Sequence, residues 1–271
     1  QVDGRVDCWG AFRVGNPPVL IGEKERAELI AELKDVVDID AGENHMCTVS
    51  AQGAVHCWGD NSAGQLGYSP LDAPEPYSIG PALVVQLSAM ESVAAGTQHS
   101  CALGYGQVFC WGNNSTGQVG RGVDLSQKFW SPELIDTSSV ANGLFRGLES
   151  GHYHSLALRS DGQSIGWGQA DYDALGDSVT GPQTPMALPQ EALAFQLIRG
   201  GFGFSCGLDN CVSSQDVTLF GDKINALKRT PEVTVIALGL LSRSNLRGSC
   251  EDIALMRSFN WPPVLPSANA S

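Results

Sequence analysis

Positive charge is scarce in this sequence. Of 271 residues, 16 are Lys or Arg and 29 are Asp or Glu, which gives a formal net charge of -13 at pH 7. Surfaces that bind nucleic acid normally carry a basic patch or stripe, and no run of Lys and Arg occurs here. The composition therefore argues against nucleic acid as a partner and favours basic or cationic ones.

Long hydrophobic runs are also missing. The longest, residues 235–241, is far shorter than the roughly 18 or more apolar residues of a membrane-spanning helix. The sequence starts at Gln1 without an apolar targeting segment, so either none exists or it has been removed. We therefore expect no direct insertion into a membrane.

Glycine, in contrast, is abundant. The chain has 32 glycines, only 17% charged residues and 42% hydrophobic residues. Many glycines with few charges are typical of an all-β chain with many tight turns, and the hydrophobic content is sufficient for a large core.

Two motifs recur in the same order along the chain. The first reads small residue, Gly, two residues, His, one residue, Cys, and its glycine recurs after 54, 55 and 50 residues. The second is an aromatic residue followed by Gly, and it recurs after 49, 53, 56 and 53 residues. Its aromatic residues are Trp9, Trp58, Trp111, Trp167 and Phe220. This period fits one four-stranded propeller blade with its loops.

The segments AGENHMCTVSAQGAVHCWGDNSAGQLG and AAGTQHSCALGYGQVFCWGNNSTGQVG resemble the regulator-of-chromosome-condensation (RCC) repeat family. The resemblance implies a β-propeller that serves as a binding platform, with seven blades in most members. The length of this chain favours about five four-stranded blades over seven. We predict one propeller domain over residues 1–260 and a proline-containing tail or linker over 261–271.

The two ends of the chain carry complementary parts of a repeat. Residues 5–10 hold a second motif without a first, and residues 234–255 have strand-like sequence without a clear second motif. We therefore predict that the N-terminal strand joins C-terminal strands in one blade, which would remove two exposed sheet edges. Cys8 would then face Cys250. Residues 23–34 instead show the pattern of a short amphipathic helix.

The cysteines predict disulfide bonds across hairpins. Cys47 and Cys57 bracket one hairpin, and Cys101 and Cys110 bracket the equivalent hairpin of the next repeat. In the third repeat both positions change together, as expected for bonded pairs. Free core thiols are an alternative, as is a metal site, although zinc ligands usually lie two to four residues apart. We also predict a local bridge between Cys206 and Cys211.

Disulfides indicate an oxidising compartment, so we expect a secreted, lumenal or cell-surface protein. Asn113 and Asn114 begin overlapping glycosylation sequons, which are compatible with secretion.

Three histidines occupy one repeat position: His45, His99 and His154. They could form a metal ring across a central channel, but equivalent atoms of different blades should lie too far apart for bonds of roughly 2 Å. We expect each histidine to pack within its own blade and to bond nearby backbone. The aromatic residues of the second motif are expected to fill the space between blades.

Two further patterns suggest chemistry only weakly. His152, His154, Ser155 and Asp161 could suggest a serine triad, but no nucleophile elbow surrounds Ser155. Residues 38–42 resemble the start of a calcium loop, but they lack its downstream carboxylates. A feature that recurs in several blades is better explained by structure than by catalysis, because one active site does not need copies. We expect no enzymatic activity, no cofactor and no metal.

Three loop regions depart most from the repeat, at residues 69–90, 122–144 and 170–190. They follow successive second motifs, so they should project at equivalent places on neighbouring blades. Aromatic residues with a polar rim suit a protein interface, although these loops could simply cap the blades. The predicted binding residues are Tyr77, Trp130, Tyr172, Asp124, Asp136, Asp171 and Asp173, and Tyr153 is a further exposed aromatic candidate.

These patterns favour a non-catalytic extracellular propeller that binds a protein, within a larger surface assembly. Two alternatives remain. One is nucleotide exchange on a small GTPase, which the nuclear relatives perform in a reducing compartment. The other is a polysaccharide-binding or polysaccharide-active propeller, and activity would require two carboxylates roughly 5–10 Å apart in a cleft.

Overall fold

The structure is a computed structural model. It describes residues 4–14, 19–69, 71, 75–122, 128–138, 144–169, 174–175, 184–188 and 195–209. The chain forms two compact units, Gln1–Gly207 and Leu208–Ser271. The described strands lie in the first unit, except that the last one, Ser205–Asp209, ends in the second.

Three four-stranded antiparallel sheets form the centre of this unit. Sheet I contains β3 (Val36–Ala41), β4 (His45–Ser50), β5 (Val55–Asp60) and β6 (Tyr77–Leu83) in that order. Sheet II contains β7 (Ser92–Ala95), β8 (His99–Gly104), β9 (Gln107–Asn113) and β10 (Lys128–Leu134). Sheet III contains β11 (Phe145–Ser150), β12 (His154–Arg159), β13 (Ser164–Gly168) and β14 (Met186–Ala187).

Two antiparallel hairpins complete the described strands. The first hairpin pairs β1 (Asp7–Val14) with β2 (Val19–Leu29), and the last hairpin pairs β15 (Phe195–Gly200) with β16 (Ser205–Asp209). The helix predicted over residues 23–34 is therefore wrong for its first part, where the backbone of β2 pairs with β1 from Asp7 to Val14. Backbone pairing with β1 outweighs the local helical pattern, because propensity yields to tertiary pairing. No helix among the described residues is long and apolar enough to span a membrane.

The hydrophobic core lies between successive sheets. One cluster joins Cys101 and Val119 of the sheet II repeat to Phe145 and Leu148 of sheet III. Another joins Cys47 and Leu66 of the sheet I repeat to Trp111 of sheet II. Consecutive four-stranded antiparallel sheets packed in this way are the blades of a β-propeller, which confirms the predicted all-β propeller fold. The total number of blades and the boundary at residue 260 stay predictions, since residues 210–271 lie outside the described part.

The glycine of the second motif has a steric reason. Gly59, Gly112 and Gly168 have φ values of 106°, 105° and 102°, a region that side chains rarely adopt. A Cβ atom at Gly112 would lie 2.5 Å from the carbonyl oxygen of Gln98. Each of these glycines therefore lets the third strand of its sheet pass close to the turn between the first two.

Both predicted hairpin disulfides are present. Cys47 pairs with Cys57 in the β4–β5 register, with an S–S distance of 2.12 Å. Cys101 pairs with Cys110 in the β8–β9 register, with an S–S distance of 2.02 Å. The bridges predicted to Cys250 and Cys211 lie outside the described residues.

Removing one of these bridges should destabilise the protein. Replacing Cys101 and Cys110 together with Ala is expected to lower the free energy of unfolding by about 2–3 kcal/mol, because a short crosslinked loop restricts the unfolded chain. Urea unfolding under non-reducing conditions measures this difference. A double variant as stable as the unsubstituted protein would show that the two sulfur atoms do not form a stabilising bond.

Candidate partner-binding face

The repeated histidines connect each sheet to the next one. The Nε2 atom of His45 lies 2.8 Å from Ser100 Oγ, and that of His99 lies 2.9 Å from Ser155 Oγ. The Nε2 atom of His154 lies 3.1 Å from Ser205 Oγ in the last hairpin. The prediction that each histidine bonds backbone within its own blade is therefore wrong. Each of these histidines lies at the contact between two consecutive sheets, which we call a seam. Its ring bonds a serine hydroxyl of the following repeat there.

Burial keeps these histidines neutral. Desolvation lowers the pKa of His45 and of His154 to about 4. It lowers the pKa of His99 to about 3, with a further contribution from neighbouring histidines. Because their Nε2 atoms interact with serines of the next repeat, the geometry gives these residues a structural role at the seams.

The tryptophans fill the same seams from the other side. Trp111 Nε1 donates to the carbonyl oxygen of Gln65 in the preceding repeat at 2.9 Å, and Trp167 Nε1 donates to that of Gln118 at 2.9 Å. Trp58, Trp111 and Trp167 are buried as predicted.

Trp9 contradicts the prediction of a core position, because its side chain is 69% exposed. Among the described residues, no sheet precedes the first hairpin and covers this ring. Phe220, the fifth predicted aromatic residue, lies outside the described part of the chain.

The weaker chemical patterns have structural explanations. His154 bonds Ser205, whereas Ser155 bonds His99, so the two adjacent residues of the apparent triad face different sheets. Asp38 and Asp40 accept backbone N–H groups of the neighbouring strand β7, at 2.9 Å and 2.7 Å. Their carboxylates therefore fasten sheet I to sheet II.

Two equivalent turns follow the third strands of sheets I and II. In the turn at residues 113–120, the side-chain oxygen of Asn114 accepts the backbone N–H of Val119 at 3.0 Å, and the residue is 0% exposed. The predicted glycosylation of Asn114 is thus wrong for the folded protein, since a glycan cannot be accommodated on a fully buried side chain. Asn113 is half-buried, and its amide donates to Gln98 Oε1 at 2.9 Å.

One end of the sheets gathers the turns of both motifs. Asp60, Asn113 and Gln169 each donate a backbone N–H to a carbonyl in the turn between the first two strands of their sheet, each at 2.8 Å. We call this end the turn face. It consists of the first-motif turns at 43–44, 97–98, 152–153 and 202–203, the turns at 60–67 and 113–120, and the adjacent starts of β6 and β10.

The turn face brings two predicted binding residues to a single turn. Tyr77 pairs with Asp60 at the start of the 60–67 turn. Trp130 approaches Gly64 of this turn, while Lys128 Nζ donates to the carbonyl of Ser62 at 2.9 Å. The Lys128 ammonium also lies 5.9 Å from the centre of the Trp130 ring. Tyr77 and Trp130 therefore border the same turn from neighbouring sheets.

Asp136 is not part of this arrangement. It follows the far end of β10, where Leu134 pairs with Phe109, whereas Trp130 lies near the start of the strand. The exposed Asp136 carboxylate bonds Ser138, and this bond lowers its pKa. The other predicted binding residues lie outside the described part: Asp124, Asp171, Tyr172 and Asp173.

An exposed aromatic cluster occupies the first-motif turns of sheet III and the last hairpin. The ring of His152 lies 4.1 Å from that of Phe202 and 4.2 Å from that of Tyr153, measured between centroids. Phe202 is 67% exposed. The sequence singled out Tyr153 but missed Phe202, because the fourth copy of the first motif has phenylalanines around its glycines and was treated only as a degenerate repeat.

Comparison with known proteins identifies the repeats. Models of the regulator of chromosome condensation (RCC1) repeat match residues 36–65, 52–103 and 105–158. Residues 36–158 carry RCC1 repeats. The matched segments correspond to sheets I and II and the first half of sheet III. Each repeat therefore contributes the histidine, serine and tryptophan side chains that bond the neighbouring repeats.

Curated relatives share this region. The chain is 32% identical over 216 residues to the human probable E3 ubiquitin-protein ligase HERC6, covering 76% of this chain and 20% of that protein. It is 29% identical over 177 residues to protein pim1 of Schizosaccharomyces pombe, covering 62% of this chain and 32% of that protein. The chain thus spans about a third or less of the length of these relatives.

Solved structures show the same fold. Yeast RCC1 (Prp20), solved bound to Kap60, matches with a TM-score of 0.57 and 22% identity, over 73% of this chain and 47% of that one. Human WBSCR16 matches with a TM-score of 0.59 and 20% identity, over 71% of this chain and 50% of that one.

Proposed function

We propose that this protein is a non-catalytic propeller that binds a protein partner through its turn face. The observation that carries the proposal is the aromatic cluster of His152, Tyr153 and Phe202. Aromatic residues dominate the binding energy of many protein interfaces. Phe202 is exposed and stacks on the half-buried His152, so its ring is positioned before a partner binds. Trp130 extends the apolar surface towards the outer strands.

The proposed partner is basic around an apolar centre. The chain has a net charge of -13, which attracts a positively charged surface over long distances. On the turn face itself, Glu43 is exposed in the first-motif turn of sheet I and acts electrostatically on His152. The aromatic cluster would supply affinity, and the acidic surroundings would supply association rate and specificity.

We further propose that the protein acts outside the reducing cytosol, on a cell surface or in a secreted assembly. The two hairpin disulfides support this location, because such bonds persist in oxidising compartments. Mass spectrometry of the protein from its source, alkylated before reduction, tests the location. Free thiols at Cys47, Cys57, Cys101 and Cys110 would contradict it.

A photo-crosslinking amino acid tests the binding face directly. Benzoylphenylalanine at Phe202 should form a covalent adduct with the partner in an extract of the source. Placed at Tyr105, which is 69% exposed on the β8–β9 turn at the opposite end of the sheet, it should form none with that protein. Adducts of equal yield from both positions, or none from Phe202, would refute the assignment of the turn face.

Nucleotide exchange on a small GTPase is the second candidate. Its support is the structural match to Prp20p of Saccharomyces cerevisiae, whose structure was reported with its binding to Gsp1p and histones. Release of a fluorescent guanine nucleotide from purified small GTPases separates the two proposals. The binding-module proposal predicts an unchanged release rate, whereas an acceleration by this chain would establish the exchange activity.

A further inference from the structure

A cavity of about 230 Å³ lies beside sheet I, near the turn between β4 and β5. The described residues that line it come from the linker between β2 and β3, from the start of β3, and from β4, β5 and the turn between them. This turn lies at the end of sheet I opposite the turn face, so the cavity is separate from the proposed partner-binding surface. Its volume would hold about seven water molecules at roughly 30 Å³ each, which suits a small organic molecule.

The other repeats show which side chains normally occupy this space. One position lies six residues before the glycine of the first motif, and in successive repeats it holds Val36, Met90, Phe145 and Phe195. Met90 and Phe145 are buried in the core between sheets. Val36 has the shortest of these four side chains, so it leaves open a space that the longer side chains fill.

Contacts of the longer side chains locate this space within the repeat. The terminal methyl carbon of Met90 would lie 2.6 Å from a Cβ atom added at Gly104. Ser50 is the counterpart of Gly104 in sheet I, and it lines the cavity. In the last hairpin, the ring of Phe195 packs in the same way on Gly207. The cavity therefore lies where an apolar side chain packs against the second strand in other repeats.

The wall of the cavity is polar where other repeats are apolar. Thr48 and His56 pair across β4 and β5, and the pairs at these positions in sheets II and III are Ala102–Phe109 and Ala157–Ile165. Thr48 is 1% exposed, and its hydroxyl donates to the carbonyl of His56 at the long distance of 3.4 Å. Burial lowers the pKa of His56, so its neutral ring offers one donor and one acceptor. Such buried polar groups favour a polar occupant of the cavity.

Charges of both signs lie at the mouth of the cavity. Glu32 and Lys34 line it and are exposed, whereas Leu33 between them is buried. Leu33, Val36 and Ala54 provide an apolar part of the lining. The site therefore combines a carboxylate, an ammonium group, uncharged donors and acceptors, and an apolar surface.

From these features we infer that the cavity binds a free α-amino acid with an apolar side chain. The ammonium group of the ligand would pair with Glu32, and its carboxylate would pair with Lys34. Its side chain would contact Leu33 and Val36, in the place that Met90 occupies in sheet II. A neutral sugar would use neither charge at the mouth and has no side chain for the apolar surface. This inference goes beyond the proposed partner binding and does not depend on it.

NMR titration of the full chain with L-leucine tests the class of ligand. We expect a Kd of about 1 mM or tighter, as is reasonable for a ligand of this size. Isocaproate lacks the ammonium group of leucine and isoamylamine lacks its carboxylate, so each should bind at least about threefold more weakly. Glucose should not bind.

Two variants that copy residues of sheet II test the location. Val36→Met introduces the side chain that Met90 has, and His56→Phe introduces that of Phe109, so each should weaken leucine binding at least about tenfold by filling the cavity. Val37→Met makes the same change at a neighbour that is 60% exposed, and it should leave binding unchanged.

The inference would be overturned if leucine failed to bind well above the expected Kd. Equal binding of isocaproate or glucose would also overturn it, as would leucine binding that survives both cavity-filling variants. Each of these outcomes leaves the proposal for the turn face intact, because partner binding is measured at the other end of the sheet.

Discussion

Trp111→Ala should lower the free energy of unfolding by about 4 kcal/mol. The ring is fully buried between sheets I and II, and removal of a buried tryptophan typically costs about 3–5 kcal/mol through lost contacts and a residual cavity. Its Nε1 also donates to the Gln65 carbonyl, which would lose one of its two donors. Because small domains are stable by only about 5–15 kcal/mol, this single change should remove a large part of the total.

Two comparisons separate packing from hydrogen bonding in that experiment. Trp111→Phe keeps most of the apolar contact but loses the indole N–H, so we expect a smaller loss of about 1–2 kcal/mol. Tyr105→Ala removes an exposed ring of comparable size and should change stability by less than about 1 kcal/mol. Urea unfolding followed by circular dichroism measures all three. A loss for Trp111→Ala no larger than that for Tyr105→Ala would contradict the seam described here.

Stability should fall steeply between about pH 6.5 and pH 4. His45, His99 and His154 have folded-state pKa values of about 4, 3 and 4, below the usual value of about 6.5 in an unfolded chain. Their contribution is complete above pH 6.5 and is lost as the pH falls, because the unfolded chain binds protons that the folded one excludes. Each buried histidine contributes a slope of about 1.4 kcal/mol per pH unit in this window.

Two carboxylates act in the opposite direction, since burial raises the pKa of Asp40 as well as that of Glu149. Burial raises the pKa of Glu149 to about 7, although Arg199 beside it lowers the pKa in part. This group therefore contributes stability below about pH 4.5 that is lost as the pH rises through 7. The three buried histidines outnumber these two carboxylates, so the net result is stability that decreases towards acid.

The variant His99→Gln assigns this pH dependence to the seams. Glutamine can still bond the hydroxyl of Ser155 but does not titrate, so the slope between pH 4 and 6.5 should decrease by about 1.4 kcal/mol per pH unit. Unfolding in urea at several pH values gives the slope for both proteins. An unchanged slope would mean that His99 is not the buried neutral group that the structure shows.

The sequence predicted the fold because each repeat specifies its strand pairing through residues that are close together in the chain. The spacing of Cys47 and Cys57 predicted their pairing across a hairpin, and the loss of both cysteines from the third repeat supported a bond. The glycine that follows each second-motif aromatic residue permits the close backbone approach that the structure shows at Gly112. These are short-range consequences of strand pairing, and local sequence is sufficient to specify them.

Contacts between sheets could not be predicted in this way. His99 and Ser155 are 56 residues apart, and nothing near either residue shows that their side chains meet. Trp9 has the same local motif as Trp111, yet its exposure depends on a neighbouring sheet and not on its own strand. Phe202 was missed for a related reason, since its stacking on His152 arises only when two consecutive repeats lie side by side.

Titration of the crosslinked partner with two single variants tests the proposed function most directly. Once the partner captured at Phe202 has been purified, isothermal titration calorimetry gives its affinity for each protein. The account predicts at least about tenfold weaker binding by Phe202→Ala and unchanged binding by Tyr105→Ala. Equal affinities of both variants and the unsubstituted protein would contradict the assignment of the turn face as the partner-binding surface.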